Sequence, residues 1–248
     1  MASFSGDLLQ GAVLVVGLLT MAFPSTVLAD RQAPNADFEA ARLSTSESRA
    51  AYFGDVIPSA DAGRLVNWVA ATRDNKGATF VVIDKRAAVL YVFDAGARLL
   101  ARSPVLLGSA VGDETVPGIG DRPIALVRPE ERTTPAGRFI TEPGRNARGE
   151  DVVWVDYDAA VSIHRVVTSN PAERRLERLA SPTAADNRIS YGCINLPVAF
   201  YDSYIRPAFS RYSGIVYIMP DVATVQQVFG MVSGRVAQQT DAKNAGIP

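Results

Sequence analysis

The segment of this 248-residue chain best suited to chemistry is Ser-Tyr-Gly-Cys-Ile-Asn at residues 190–195. Cys193 is the only cysteine, and a thiol that follows glycine directly can be presented in a tight turn. The missing side chain at Gly192 lets a substrate carbonyl approach, and nearby backbone N–H groups can face a developing oxyanion. A free cysteine is also commonly a buried packing residue. The segment alone therefore leaves a nucleophile and a core cysteine both open.

A cysteine nucleophile needs a base, and His164 is the single histidine of the chain. A histidine beside a thiol can hold a thiolate–imidazolium pair and lower the thiol pKa, whereas an isolated histidine is often structural. Zinc is a poor alternative because a structural zinc site uses about four Cys or His ligands, and neither residue type occurs twice. The pair therefore leaves cysteine catalysis and two structural residues both open, and neither interpretation requires a metal or a cofactor.

Composition narrows the possible partners and compartments. The formal net charge is -1, so there is no basic excess to bind a nucleic acid. Residues 8–23 are almost wholly apolar and precede Val27-Leu28-Ala29, a small-residue pattern typical of signal peptidase sites, although Asp7 stands where a positive residue is usual. The run is short for a membrane span, which needs about 20 residues. We expect a periplasmic, exported protein with a cleaved signal peptide; an uncleaved anchor is the alternative.

The elements that must position Cys193 and His164 are mostly short strands. Alternating or β-branched residues predict strands at 79–83, 89–93, 98–107, 139–141, 152–155, 161–164 and 214–219. Capping and proline signals predict helices after Ser59, over 171–179, from Pro197 to about Ile205, and after Asp221. Residues 108–123 are predicted to form a long loop. Four regions are expected: a signal peptide or anchor at 1–29, a linker and helix at 30–77, a catalytic domain at 78–221, and a C-terminal helix and tail at 222–248.

The order of these motifs resembles the L,D-transpeptidase catalytic domain, also called YkuD-like. The matching segments are its opening hairpin at 80–84 and 89–93, its Thr-Pro-x-Gly-x-Phe at 134–139, its histidine strand at 163–164, and its Ser-His-Gly-Cys signature at 190–195. The resemblance covers about residues 78–221. It implies a mostly-β, YkuD-like β-sandwich or barrel with a few flanking helices.

The resemblance also implies a cysteine transpeptidase acting on peptidoglycan stem peptides, with carbapenem-type inhibitors as further ligands. Cys193 would attack the bond after the third residue of a tetrapeptide donor, expel D-alanine and pass the acyl group to an amine. His164 would carry the proton, and the backbone carbonyl of Arg165 would complete the triad. The N–H groups of Gly192 and Cys193 would form the oxyanion hole, and the substrate-binding residues would be Ser190, Tyr191 and Asn195.

This sequence departs from the family pattern near the site. Tyr191 replaces the family's second histidine, and Arg165 stands where glycine or serine is usual. If residues 191–193 are extended, the Tyr191 side chain shares a face with the sulfur. The stretch between His164 and Cys193 is longer than usual, and its charged residues 171–178 predict an added helix that either faces solvent or contacts substrate. Hydrolysis of a peptidoglycan cross-link by the same residues and a catalytically silent wall-binding module are the alternative functions.

Overall fold

The computed structural model describes residues 50–209 and 213–231, all of which belong to one unit, Glu47–Pro248. The predicted signal peptide, most of the predicted linker and the C-terminal tail lie outside the described residues. Within the described ranges, no helix has the length and apolar character needed to cross a membrane.

The larger of the two main sheets has five strands, and the opening hairpin predicted from sequence forms its centre. The strands are β1 (Phe80–Asp84), β2 (Val89–Phe93), β3 (Leu99–Pro104), β5 (Gly137–Ile140) and β11 (Ile215–Ile218), in the order β3-β2-β1-β11-β5. β11 lies parallel to β1, whereas the other neighbours are antiparallel. The sheet therefore joins the beginning and the end of the predicted catalytic domain.

The second sheet carries the residues of the site. Its strands are β6 (Glu142–Arg145), β7 (Asp151–Asp156), β8 (Val161–Arg165) and β10 (Ile194–Leu196), in the order β10-β8-β7-β6. β8 and β10 are parallel, and the chain between them includes the unusually long stretch from β8 to β9, residues 166–187, which is the added segment. Two short strands, β4 (Leu107–Gly108) and β9 (Arg188–Ser190), pair in parallel beside this sheet.

The main core lies between the two large sheets, because alternate residues of each strand face inward. Val81 and Ile83 of β1 meet Ile163 of β8 and Ile194 of β10 in one buried cluster. Phe80 and Val82 of β1 form a second cluster with the helix α1 (Ala60–Thr72) on the outer face of the five-stranded sheet. The mostly-β sandwich with flanking helices is thus confirmed.

The helices are short, and most lie near their predicted positions. They are α1 (Ala60–Thr72), α2 (Arg175–Ala180), α3 (Val198–Phe200), α4 (Arg206–Phe209) and α5 (Val225–Phe229). The Ser59 side chain caps α1 as expected by accepting the N–H of Ala62. A π-helical turn, Tyr201–Ile205, joins α3 to α4, so the predicted helix after Pro197 extends to Phe209.

Three details of the secondary-structure prediction were wrong. Thr224, not Asp221, caps the last helix, because the Asp221 carboxylate is recruited by Arg188 and the buried Lys85. The predicted helix over 171–179 is broken at Arg174, whose φ of 49° separates a 3-10 turn from α2. The strands β6, β9 and β10 were not predicted, since three or four residues show no periodicity and the Pro143-Gly144 pair of β6 is typical of a turn.

Candidate active site

The site is built on one face of the parallel pair β8 and β10. Their register sets Ile194 beside Ile163 and Asn195 beside His164. Because both isoleucines point into the core, their neighbours in sequence point to the opposite face. This alternation places His164 and the residues flanking Ile194 together outside the sandwich core, although a long stretch of sequence separates the strands.

Oxygen atoms and the His164 imidazole surround the Cys193 thiol. Sγ lies 3.4 Å from the carbonyl oxygen of Ala160 and 3.8 Å from the hydroxyl of Ser162. Burial raises the pKa of the thiol, but the hydrogen bond and charge of His164, aided by Ser162, hold it below the ordinary value. The arrangement favours the thiolate, which is the nucleophilic form.

His164 is oriented by the backbone of the next residue. Its Nδ1 lies 2.7 Å from the carbonyl oxygen of Arg165. A carbonyl can only accept a hydrogen bond, so Nδ1 carries the hydrogen and Nε2 is left to accept a proton from the thiol. The Arg165 carbonyl is thus within hydrogen-bond distance of His164, and its role as the third member of a triad stays a prediction.

The unusual side chain at position 165 fixes that carbonyl without entering the site. The Arg165 guanidinium forms ion pairs with Asp151 at 2.9 Å and with Asp202 at 2.6 Å. It also stacks 4.4 Å from the ring centroid of Tyr201. These contacts hold the end of β8 from the side away from the cysteine, so arginine is compatible with the orienting role of its own carbonyl.

The turn before Cys193 requires glycine. Gly192 has a φ of +133°, and a Cβ there would lie 2.8 Å from the carbonyl oxygen of Thr133. The buried hydroxyl of Thr134 donates to the Gly192 carbonyl at 2.8 Å and accepts the N–H of Gly108, also at 2.8 Å. The turn is therefore fixed to the strand that precedes the long loop.

The Ser190 hydroxyl closes the same turn from within. It donates to the Cys193 carbonyl at 2.6 Å and accepts the Gly192 N–H at 3.1 Å. The Gly192 N–H is thus already hydrogen-bonded, whereas the Cys193 N–H has no partner in the described part of the chain. The geometry favours Cys193 as the oxyanion donor. A role for the Gly192 N–H in the oxyanion hole and a contact of Ser190 with substrate stay predictions.

Tyr191 and Asn195, the other predicted substrate-binding residues, differ in exposure. Tyr191 is 37% exposed and its ring lies 4.1 Å from the guanidinium of Arg132. It shares a cavity with Cys193, although residues 191–192 bend instead of extending. Asn195 is fully buried, and its amide donates to the Cys193 carbonyl at 3.2 Å. Contact of either residue with substrate stays a prediction.

The added segment between β8 and β9 forms one wall of the site. Leu179 of α2 packs against Leu106 and Val166, which anchors the segment. Arg175 donates to the Asn195 side-chain oxygen at 2.7 Å and pairs with Glu173. The segment's charges are therefore divided: some face solvent, but Glu173 and Arg175 line the cavity that contains the thiol.

This cavity has a volume of about 260 Å³ and is open to solvent. Cys193, His164, Tyr191 and Asn195 line it together with Ile124, which follows the long loop, Arg148 of the β6–β7 turn and residues of the added segment. No group of three or more His, Cys, Asp or Glu side chains within residues 50–209 and 213–231 could hold a metal ion. The arrangement can support nucleophilic attack by a thiolate on a carbonyl of a bound ligand.

Three structural contributors to the site were not assigned by sequence reasoning. Thr134 belongs to a motif that was recognised, but its hydrogen bonds to Gly108 and Gly192 depend on tertiary contacts. Lys85 is fully buried and donates to the Thr134 carbonyl at 2.8 Å, although a lysine after a strand ordinarily faces solvent. Arg175 was one of several charged residues in a predicted helix, and only its position as the first residue of α2 distinguishes it from the others.

Comparison with known proteins gives likenesses in structure alone, because neither a protein-family model nor a curated protein sequence matches the chain. The helical cell shape determining protein Pgp2 from Campylobacter jejuni is 14% identical with a TM-score of 0.39, over 59% of this chain and 49% of that protein. L,D-transpeptidase 1 of Mycobacterium tuberculosis is 17% identical with a TM-score of 0.32, over 57% and 61%.

The catalytic domain of the E. faecium L,D-transpeptidase is also 17% identical with a TM-score of 0.32, over 57% of this chain and 96% of that domain. The chain thus spans about half of Pgp2 and about three fifths of the Mycobacterium protein. At these identities, an assignment of function depends on the chemistry of the residues around Cys193.

Proposed function

We propose that this protein is a cysteine acyltransferase that acts on peptidoglycan stem peptides, with Cys193 as nucleophile. The observation that carries the proposal is the orientation of His164, whose Nδ1–H is held by the Arg165 carbonyl at 2.7 Å while the pKa of the nearby Cys193 thiol is lowered. The motif resemblance over residues 78–221 supplies the substrate class.

The reaction would proceed in two halves. His164 Nε2 takes the thiol proton as Cys193 Sγ bonds to the carbonyl carbon of the donor peptide. The tetrahedral oxyanion is stabilised by the Cys193 N–H. The carbon–nitrogen bond then breaks, and the leaving D-alanine amine takes the proton from His164.

In the second half, an acceptor amine attacks the thioester. It transfers a proton through His164 to the departing sulfur, so a new amide forms and the thiol is restored. Water in place of the amine gives hydrolysis with the same residues.

The test is mass spectrometry of the protein and its products after incubation with purified tetrapeptide muropeptides, with and without an amine acceptor. We expect a thioester adduct on the wild type and none on Cys193→Ala. Cys193→Ser is the matched control, because it keeps the shape and replaces the thiol with a poorer nucleophile. Released D-alanine with a new cross-linked product indicates transfer, and release without it indicates hydrolysis. An equal adduct on Cys193→Ala would exclude this nucleophile.

A carbapenem provides a second acylating probe. A solved L,D-transpeptidase to which this chain is similar was determined in complex with imipenem. We expect a carbapenem to add covalently to Cys193 by opening of its lactam ring. A folded wild-type protein that reacts with neither the muropeptides nor the carbapenem would favour the silent wall-binding module.

We further propose export by the N-terminal apolar segment, with cleavage after Ala29. N-terminal sequencing of the protein secreted by a native-like host should find Asp30 first. An intact Met1 on membrane-bound protein would contradict cleavage and favour the anchor.

A further inference from the structure

The wall that the added segment forms beside the thiol carries a fixed positive charge. Arg175 has only 12% of its side chain exposed, and yet it lines the cavity that contains Cys193. The desolvation of a guanidinium is costly unless it is hydrogen-bonded and paired. Glu173 and Asn195 provide that compensation by accepting hydrogen bonds from the guanidinium.

These contacts leave some hydrogen-bond donors of the guanidinium available for a ligand. Arg175 donates through Nε to Glu173 and through Nη1 to Asn195. A guanidinium has further donors, arranged in a plane that matches a carboxylate, and those on Nη2 have no partner among the residues that the structure describes. The two bonds hold the group in one orientation, so little conformational entropy is lost when a ligand binds.

The charge balance of the cavity favours an anion. Its lining includes Arg148 and Arg175 but only one carboxylate, Glu173, which is already paired with Arg175. Arg148 enters from the β6–β7 turn and forms no ion pair with any residue in the described ranges. Asn195 connects Arg175 to the nucleophile, because its amide also donates to the Cys193 carbonyl at 3.2 Å. An anionic group on Arg175 would thus be bound in the same cavity as the reacting thiol.

We propose that Arg175 binds a carboxylate of the acyl donor next to the scissile bond and so determines donor specificity. This inference rests on the proposed function. A stem tetrapeptide whose third residue is a diamino dicarboxylic acid has two carboxylates next to the scissile bond: the C-terminal carboxylate of the leaving residue and the side-chain carboxylate of the third residue. Either can accept a charge-assisted hydrogen bond from Nη2 of the guanidinium.

The experiment compares three synthetic tetrapeptide donors: one with both carboxylates free, one with a C-terminal amide, and one with the third-residue side chain amidated. The measured quantity is the second-order rate constant of Cys193 acylation, determined by mass spectrometry. In the wild type, one amidated donor should react about 10- to 100-fold more slowly than the free donor, because it lacks a charge-assisted hydrogen bond. The donor that slows identifies which carboxylate is bound.

In Arg175→Gln, this preference should fall to within about threefold, and Arg175→Lys should retain part of it because its charge remains. Arg174→Gln is the matched control: it lies one residue away, its side chain is 69% exposed and it does not line the cavity, so the preference should be unchanged. The rate of alkylation by iodoacetamide reports whether the thiol and the fold are intact in each variant.

A purely structural Arg175 would slow all three donors equally in Arg175→Gln and leave the preference intact, which would overturn the inference. Equal rates for all donors in the wild type would overturn it without any variant, and would leave the proposed acyltransfer in place. If no donor acylates wild-type Cys193, the proposed function fails and this inference fails with it.

Discussion

Replacing Thr134 with valine tests whether the turn before Cys193 depends on one buried hydroxyl. Valine has nearly the same shape as threonine, so the substitution removes two hydrogen bonds without opening a cavity. The bonds are those to the Gly108 N–H and the Gly192 carbonyl, each 2.8 Å long. Because Thr134 is fully buried, water cannot replace the lost partner without a rearrangement of the chain.

The expected magnitude follows from the two backbone groups that lose their partner. A buried donor or acceptor left without a hydrogen bond costs about 1–3 kcal/mol, and the added methyl group returns about 0.8 kcal/mol. For two such groups, we expect Thr134→Val to lower the free energy of unfolding by about 1–5 kcal/mol. For a protein of this size, that change lowers Tm by about 2–20 °C.

Thr133→Val is the matched control. Its hydroxyl donates to the carbonyl of Glu114, an exposed residue whose carbonyl water can reach, so the loss should be about 0.5–1.5 kcal/mol. The assays are thermal unfolding and the acylation rate of Cys193. Because a shift of about 1 Å at a reacting group can cost about 100-fold, we expect acylation by Thr134→Val to be about 10- to 100-fold slower at a temperature where it is folded. A Thr134→Val protein as stable as Thr133→Val and acylated at the wild-type rate would refute the role of this hydroxyl.

Three further predictions concern the base, the tyrosine and the partly buried carboxylate of Asp113. His164→Gln should slow acylation by about 10²–10⁴-fold. It should also move the pH profile of Cys193 alkylation to higher pH, because burial would then raise the thiol pKa without the opposing effect of the imidazole; an unchanged profile would mean that His164 is structural. Tyr191→Phe keeps the ring and should acylate within about threefold of the wild type, as should Tyr191→His, so complete loss in folded Tyr191→Phe would mean a direct role for the hydroxyl. Burial acts to raise the pKa of Asp113, but backbone N–H donors at 221–223 hold it at about 2, below its ordinary 3.8. The Asp113→Asn protein should therefore be less stable than the wild type at neutral pH, and the difference in urea midpoint should shrink as the pH falls from about 4 towards 2. A pH-independent difference would contradict this expectation.

The sequence by itself determined which residues are candidates for the proposed chemistry. Because the chain has one cysteine and one histidine, a thiol–imidazole pair within it can consist only of Cys193 and His164. The glycine before Cys193 indicated a turn, and the structure shows why another residue is excluded there: the Gly192 backbone has a positive φ and faces the Thr133 carbonyl. The longer strands were also predictable, because their β-branched and aromatic residues recur over five or six positions.

Only the tertiary structure decided how these residues meet. The pairing of β10 with β8 joins segments far apart in sequence, and the three residues of β10 are too few to reveal a strand or its register. The same pairing brings the added segment over the site. The sequence did not show which charged side chains of this segment face solvent and which face substrate, because a short helix interrupted at Arg174 has no clear apolar face. Packing of Leu179 against Leu106 and Val166 fixes the orientation of α2, and this long-range contact is the reason that Arg175 lines the cavity while Arg174 faces solvent.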